Sequence, residues 1–208
     1  TFSNSRWLTK EEIDNGGTEY NKNVLGFHVP RRFDKVFPIN KCYLQPEPSN
    51  AIRNFIYELA IRENYNFYDH IAHQGFLRSL MIRSTTTSEL MVVIQFAQNN
   101  KEQIDFLLNE LIKNFREITS LHFIINQKRN DTFHDLDIIH FFGKEIIEEN
   151  LDGLKFQIAP KSFYQTNPIQ AEKLYQIARE FADLNPEDIV YDLYTGTGTI
   201  ALYISQFV

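Results

Sequence analysis

Scarcity is informative in this chain. It holds a single cysteine, Cys42, among 208 residues, which excludes an internal disulfide and fits a reducing compartment such as the cytoplasm. No apolar run approaches the length of a membrane span, and no basic-then-apolar leader opens the chain. Positive charge is also short. Lys and Arg number 21 against 27 Asp and Glu, a net charge of −6, so no global field draws the protein to nucleic acid, and any such contact needs a local patch. The six histidines show no spacing that suggests a metal site; solvated or core-satisfied rings are the expectation. Internal repeats and low-complexity tracts are lacking too.

What is present is ordinary globular material, 43% hydrophobic and 23% charged, enough for one large domain or two small ones. Residues 1–40 read as β structure, with strands at 24–29 and 36–39 and a polar loop at 10–23. Arg31, Arg32, Lys35 and Lys41 form the densest basic cluster, with Phe27, Phe33 and Phe37 interleaved. This stretch is either a solvated hairpin tip or a contact for the RNA backbone. Ser49 is placed to N-cap a helix over 51–63, whose Ile52, Phe55, Ile56, Leu59 and Ala60 share one face. A polar and aromatic linker covers 64–75. Strands at 76–84 and 90–96 pair across a turn at 85–89. A helix over 101–115 turns Ile104, Leu107, Leu108, Leu111 and Ile112 inward, and strands follow at 121–126 and 138–142. The order α-β-β-α-β-β predicts an antiparallel sheet covered by helices, an α+β domain over 1–150. A strand at 154–158, a loop at 159–168 and a helix at 169–182 lead into the remainder. In that loop the amides of Gln165 and Asn167 are either turn formers or readers of a small polar ligand.

The most telling stretch is Ile189-Val190-Tyr191-Asp192-Leu193-Tyr194-Thr195-Gly196-Thr197-Gly198-Thr199-Ile200-Ala201. An apolar run, a Gly-x-Gly turn and an apolar helical pattern predict strand, turn and helix, the opening of a Rossmann-like α/β domain over 151–208. Glycine lets the backbone approach a ligand closely. Asp192, four residues before Gly196, would repel a pyrophosphate seated at the helix start. It suits instead a ligand bearing an ammonium and a sulfonium, S-adenosylmethionine. Gly196, Gly198 and Ala201 also satisfy the loose dinucleotide fingerprint, so NAD stays open at this point, as does a turn that binds nothing.

Phe163-Tyr164-Gln165-Thr166-Asn167-Pro168, a helix, and then Asp192-Leu193-Tyr194-Thr195-Gly196-Thr197-Gly198-Thr199 together resemble the RNA uracil-5-methyltransferases. The likeness is sharpest over 154–208 and extends more weakly upstream, where residues 24–27 and 36–42 are similar to the strands of that family's central domain. The resemblance implies methyl transfer from S-adenosylmethionine to C5 of a uridine, with 23S rRNA as the substrate. It implies that Gln165 contacts the cofactor, that Tyr194 is the aromatic before the glycine turn, and that Thr199 stands where some members carry an asparagine. It matches Cys42 to the last of four cysteines that hold a 4Fe–4S cluster in the ribosomal-RNA branch.

The family chemistry uses a cysteine thiolate that adds to C6 of uracil, and a base that later removes the C5 proton. The target base is first flipped out of its RNA structure. In the family the nucleophile, the base and the acidic residue for the cofactor ribose lie further along than position 208. The chain is therefore expected to be a piece of a longer protein and inactive by itself, with apolar surface over 189–208 that promotes self-association. Two other readings share the sequence: a methyltransferase for a protein or small molecule, and a non-catalytic RNA-binding module in 1–150.

Overall fold

A computed structural model describes residues 1–16 and 20–208. Near the N-terminus, β1 (Phe2–Ser3), β2 (Val24–Val29) and β3 (Arg32–Pro38) form a three-stranded antiparallel sheet in that order. The segment expected as a polar loop at 10–23 begins instead with a short helix, α1 (Lys10–Asp14). Its cause is legible: Thr9 accepts from the Glu12 amide while the Glu12 carboxylate accepts from the Thr9 amide, a reciprocal capping box. Residues 17–19 of that expected loop lie outside the described residues.

Helix α2 (Ser49–Arg62) follows. Ser49 does not cap it, because the helix already includes Ser49 and the buried hydroxyl has no partner among the described residues. Glu47 takes over this task, its carboxylate accepting from the Ala51 amide at 3.2 Å. Residues 64–75 are less of a linker than their polarity suggests, since Tyr65, Phe67 and Tyr68 are all buried.

The second sheet runs β4 (Leu77–Ser84), β5 (Leu90–Phe96), β6 (Ser120–Ile125), β7 (Ile139–Gly143), in that order. β4/β5 and β6/β7 are antiparallel, but β5 and β6 are parallel, which corrects the expectation of an all-antiparallel sheet. The reason is the intervening helix α3 (Lys101–Asn114), capped by Asn100. A strand, a helix and a strand in succession form a crossover that returns the second strand in the same direction as the first. β5 is buried along its whole length. Its Leu90, Val92, Ile94 and Phe96 join Ile52, Ile56, Leu59, Ile104, Leu107 and Leu111 in the main core, on the face covered by α2 and α3. Met91 and Val93 point to the other face and meet Ile124, Ile147 and Ile158. Two covered faces explain an apolar run without alternation.

That second face is covered by a hairpin of β8 (Ile147–Leu151) and β9 (Leu154–Ile158). β8 is not apparent in the sequence because Glu148 and Glu149 interrupt its apolar residues. The hairpin straddles the expected division between residues 150 and 151. Beyond it, α4 (Pro168–Ala182) and α5 (Thr199–Ile204) pack through Ala171, Tyr175 and Tyr203 against Leu151 and Phe156.

Residues 189–193 do not form the expected strand. A strand needs a neighbour for its backbone N–H and C=O groups, and no described segment lies alongside to pair with it. The helix of the expected strand-turn-helix does form, as α5.

Candidate functional site

The loop at 159–168 is held from beneath by a half-buried cation. Arg83, on β4, donates to the carbonyl oxygens of Ser162 (2.7 Å) and Ala159 (3.4 Å), and burial draws its guanidinium below the usual arginine range. The Ser162 hydroxyl accepts from the Ala159 amide at 3.2 Å and closes the turn. Asn167 accepts from the Gln170 amide at 3.1 Å and Pro168 occupies the first turn, so this amide is the N-cap of α4. The Gln165 side chain is exposed, lies in hydrogen-bond contact with Tyr175 and, like Asn167, borders open space.

That space is a cleft of about 400 Å³ lined by Gln165, Tyr164, Glu149, Arg83, Cys42 and Phe27, among others. The Glu149 carboxylate is buried at its edge. It accepts from the Thr86 amide (3.0 Å), the Thr86 hydroxyl and the Asn150 amide (2.9 Å), tying the β4–β5 turn to β8. The neighbouring Tyr164 hydroxyl is buried without a hydrogen-bond partner among the described residues. Burial, and next the Glu149 charge, push its pKa up to about 12, so it is a neutral donor across the physiological range.

Cys42 enters the cleft on a braced loop. Asn50 accepts from the Cys42 amide at 2.7 Å and donates to the Cys42 carbonyl at 3.1 Å. Asn50 is itself held by the Glu47 carboxylate and by Arg53, which also donates to the Ile39 carbonyl. The sequence-expected Cys42 and Gln165 are thus brought to one cavity, although 123 positions separate them.

The other expected cofactor residues lie elsewhere. Gly196 and Gly198 have φ of 55° and 75°, the left-handed region, and make a tight turn closed by the Gly198 amide donating to the Thr195 carbonyl at 2.7 Å. Asp192 Oδ1 accepts from the Tyr194 amide at 3.3 Å, and the Asp192 carbonyl accepts from the Thr195 hydroxyl at 2.8 Å. Thr199 is buried and shares a hydroxyl contact of 2.9 Å with Thr197, while Tyr194 is exposed. None of these residues lines the cleft of Gln165.

The basic hairpin is only partly available for phosphate. Arg32 makes a two-pronged pair with Asp34, both bonds 2.8 Å, and this holds the Asp34 carboxyl at about 2. Arg31 stands at the exposed tip with φ of 66°, and Lys35 is partly exposed beside it. Lys41 lies over the Tyr43 ring at 4.9 Å.

Two of the histidines meet a carboxylate in the fold. His28, His70 and Asp131 converge with ligand atoms within 4.8 Å of one another, in a second cavity of about 410 Å³ that Phe33 of the basic hairpin also lines. The convergence spans 103 positions, so spacing along the chain carries no signal of it. Of the other residues the sequence did not single out, Asn50 and Glu149 left faint traces: an amide one residue into a helix, and an acid in register with Ile147 and Leu151.

The architecture is mixed α/β with several sheets and resembles a methyltransferase fold. It superposes with a TM-score of 0.68 and 27% identity on the crystal structure of Pyrococcus abyssi tRNA (uracil-54, C5)-methyltransferase in complex with S-adenosyl-L-homocysteine, covering 85% of this chain and 42% of that one. In sequence it is 47% identical over 209 residues to an uncharacterized RNA methyltransferase of Bacteroides thetaiotaomicron, covering 99% of this chain and 46% of that protein. A second protein so named, from Porphyromonas gingivalis, is 48% identical over 210 residues and is covered to 45%. A third, from Chlorobaculum tepidum, is 36% identical over 208 residues. No protein-family model matches the chain. These likenesses support an RNA methyltransferase family, and the chain spans somewhat under half the length of the curated relatives it matches.

Proposed function

We propose that the protein carrying this chain transfers a methyl group from S-adenosylmethionine to C5 of a uridine in RNA. The observation that carries the reading is the fold likeness to a uracil-C5 enzyme crystallised with S-adenosyl-L-homocysteine, joined to similarity along nearly all of this chain to part of proteins named RNA methyltransferases. In this reading Gln165, Asp192, Tyr194, Gly196, Gly198 and Thr199 hold the cofactor. The left-handed turn at Gly196 and Gly198 leaves room for a close ligand, and Asp192 retains an oxygen not used by the Tyr194 amide. When bound, the cofactor supplies an electrophilic methyl group. Arg31, Arg32 and Lys35 contact phosphate, with Arg32 leaving Asp34 to do so.

The substrate proposed from the motif resemblance is 23S rRNA in the cytoplasm. The structural neighbour's own substrate supports a second reading, a transfer RNA. The 208 residues alone are proposed to be inactive, because their one thiol lies on the braced loop at Cys42, which we assign to cluster binding and not to attack on uracil. One thiolate does not satisfy a 4Fe–4S cluster, which takes four. Cys42 would therefore need partners from other segments, and no step of the reaction is assigned to the cluster. Exposed apolar residues over 189–208 are proposed to drive self-association of the isolated chain.

Calorimetry on the protein of full reading frame tests the cofactor assignment. S-adenosyl-L-homocysteine is expected to bind and NAD is not. Asp192→Ala is expected to weaken binding by about tenfold or more, the loss of one charge-assisted hydrogen bond. Retention of NAD with indifference to S-adenosyl-L-homocysteine would sink the proposal.

A further inference from the structure

The cavity beside the basic hairpin holds a donor set that the methyl-transfer reading does not use. We propose that His28, His70 and Asp131 bind a divalent first-row transition metal ion of the zinc class. Two imidazoles and one carboxylate, with a fourth position open to water, is a donor set that such ions accept. Three separate parts of the chain supply it: β2, the loop at 64–76, and the loop at 126–138.

The hydrogen bonding around the three side chains leaves the right lone pairs over. His70 Nε2 faces the Phe2 carbonyl oxygen at 3.3 Å. An oxygen of that kind only accepts, so Nε2 carries the proton and Nδ1 keeps its lone pair, the arrangement that orients a metal-bound histidine. His28 Nδ1 is buried with no hydrogen-bond partner among the described residues. Asp131 accepts from Arg78 Nε through Oδ1 at 2.9 Å, which leaves Oδ2 available.

Geometry and charge are compatible with binding. Tetrahedral bonds of about 2 Å set donors about 3.3 Å apart, and the three donors already lie within 4.8 Å. Binding requires the donors to draw in from up to 4.8 Å to that spacing. The two rings meet edge to face at 4.9 Å. Among the described residues the cations nearby include Arg78, Arg129 and the Thr1 ammonium, which interacts with the Asp131 charge. Arg78 is committed to the carbonyls of Asn126, Lys128 and Asn130 as well as to Asp131, whereas Arg129 lines the cavity and opposes a metal. His73 lines the same cavity but lies toward Tyr68, its Nδ1 3.5 Å from the Tyr68 hydroxyl. The bound ion would pin the first sheet to two loops of the second. The site uses no thiolate, so it is independent of any cluster at Cys42.

Zn²⁺ and Co²⁺ alone serve as probes on the chelator-stripped 208-residue protein, which has the buried cores described above. Calorimetry is expected to show one Zn²⁺ per chain, and Co²⁺ a visible d–d absorption of a low-coordinate N/O site. Zn²⁺ is expected to raise Tm by about 5 °C. His28→Ala and His70→Ala are expected to abolish all three signals, while His134→Ala and His140→Ala keep them. Should the alanine variants misfold by circular dichroism, Asp131→Asn retains an acceptor for Arg78 and is expected to weaken Zn²⁺ binding at least tenfold. Absence of saturable binding by the wild type, or wild-type affinity in Asp131→Asn, overturns the proposal.

Discussion

In β5, Leu-Met-Val-Val-Ile-Gln-Phe, every residue is buried; in residues 189–193, Ile-Val-Tyr-Asp-Leu, Ile189, Tyr191 and Leu193 are about four-fifths exposed. The two runs share the composition expected of a core strand, and their fates differ because of what lies beside them. β5 has β4 on one side and β6 on the other, each paired along most of its length, and a layer of side chains over each face. Residues 189–193 have no strand alongside among the described residues. Apolar composition therefore specifies a capacity for burial, and neighbours decide whether it is used.

The largest effect that would sharpen this contrast is expected at the edge of the buried region. Arg78 is almost wholly buried on β4 and donates to three loop carbonyls and Asp131, with its guanidinium 4.5 Å from the Tyr68 ring. Arg78→Leu should cost about 3–5 kcal/mol in urea denaturation, since it strands buried acceptors. A loss below about 1 kcal/mol would show that loop 126–131 is not fastened this way. Next in size, Ile94→Ala in β5 should cost about 3 kcal/mol by leaving a cavity, whereas Leu193→Ala should change stability by less than about 0.5 kcal/mol. Equal costs would break the comparison and mean that 189–193 is buried in solution.

Self-association offers a third way to test it. Sedimentation of the isolated chain should reveal association that rises with concentration, and Ile189→Lys with Leu193→Lys should return it to monomer. A wild-type chain that stays monomeric at high concentration would contradict the exposed-run account. The smallest effect concerns pH. His122 is buried against Ser120 Oγ at 2.8 Å, and burial, followed by the charge of His140, lowers its pKa to about 4. A base with a depressed folded pKa protonates first in the unfolded chain. Its contribution is complete above about 6.5 and is lost as pH falls toward about 4. His122→Gln should flatten stability across that window, and an unchanged acid limb would remove His122 from the explanation.

Local signals carried much of the fold. The 3.6-residue spacing of Ile52, Ile56 and Leu59, and of Ile104, Leu107 and Leu111, marks two faces that the structure buries. The Thr9–Glu12 pair marks α1 once the capping box is sought. What was hidden depends on distant partners. The parallel pairing of β5 and β6 follows from chain order and not from either strand's composition. β8 was masked by Glu149, whose burial makes sense only with Thr86 in place beside it. The candidate site divides in the same way. Gln165 and the glycine turn stand out as local motifs, while the brace of Asn50 on Cys42 and the meeting of His28, His70 and Asp131 exist only after folding.

The most direct test of the functional account is nucleoside analysis of RNA after incubation of the protein of full reading frame with S-adenosylmethionine carrying a labelled methyl group. The account predicts label in 5-methyluridine, in 23S rRNA or in a transfer RNA. Label confined to another nucleoside or to protein, or no transfer to any RNA by a protein shown to bind the methyl donor, would contradict it.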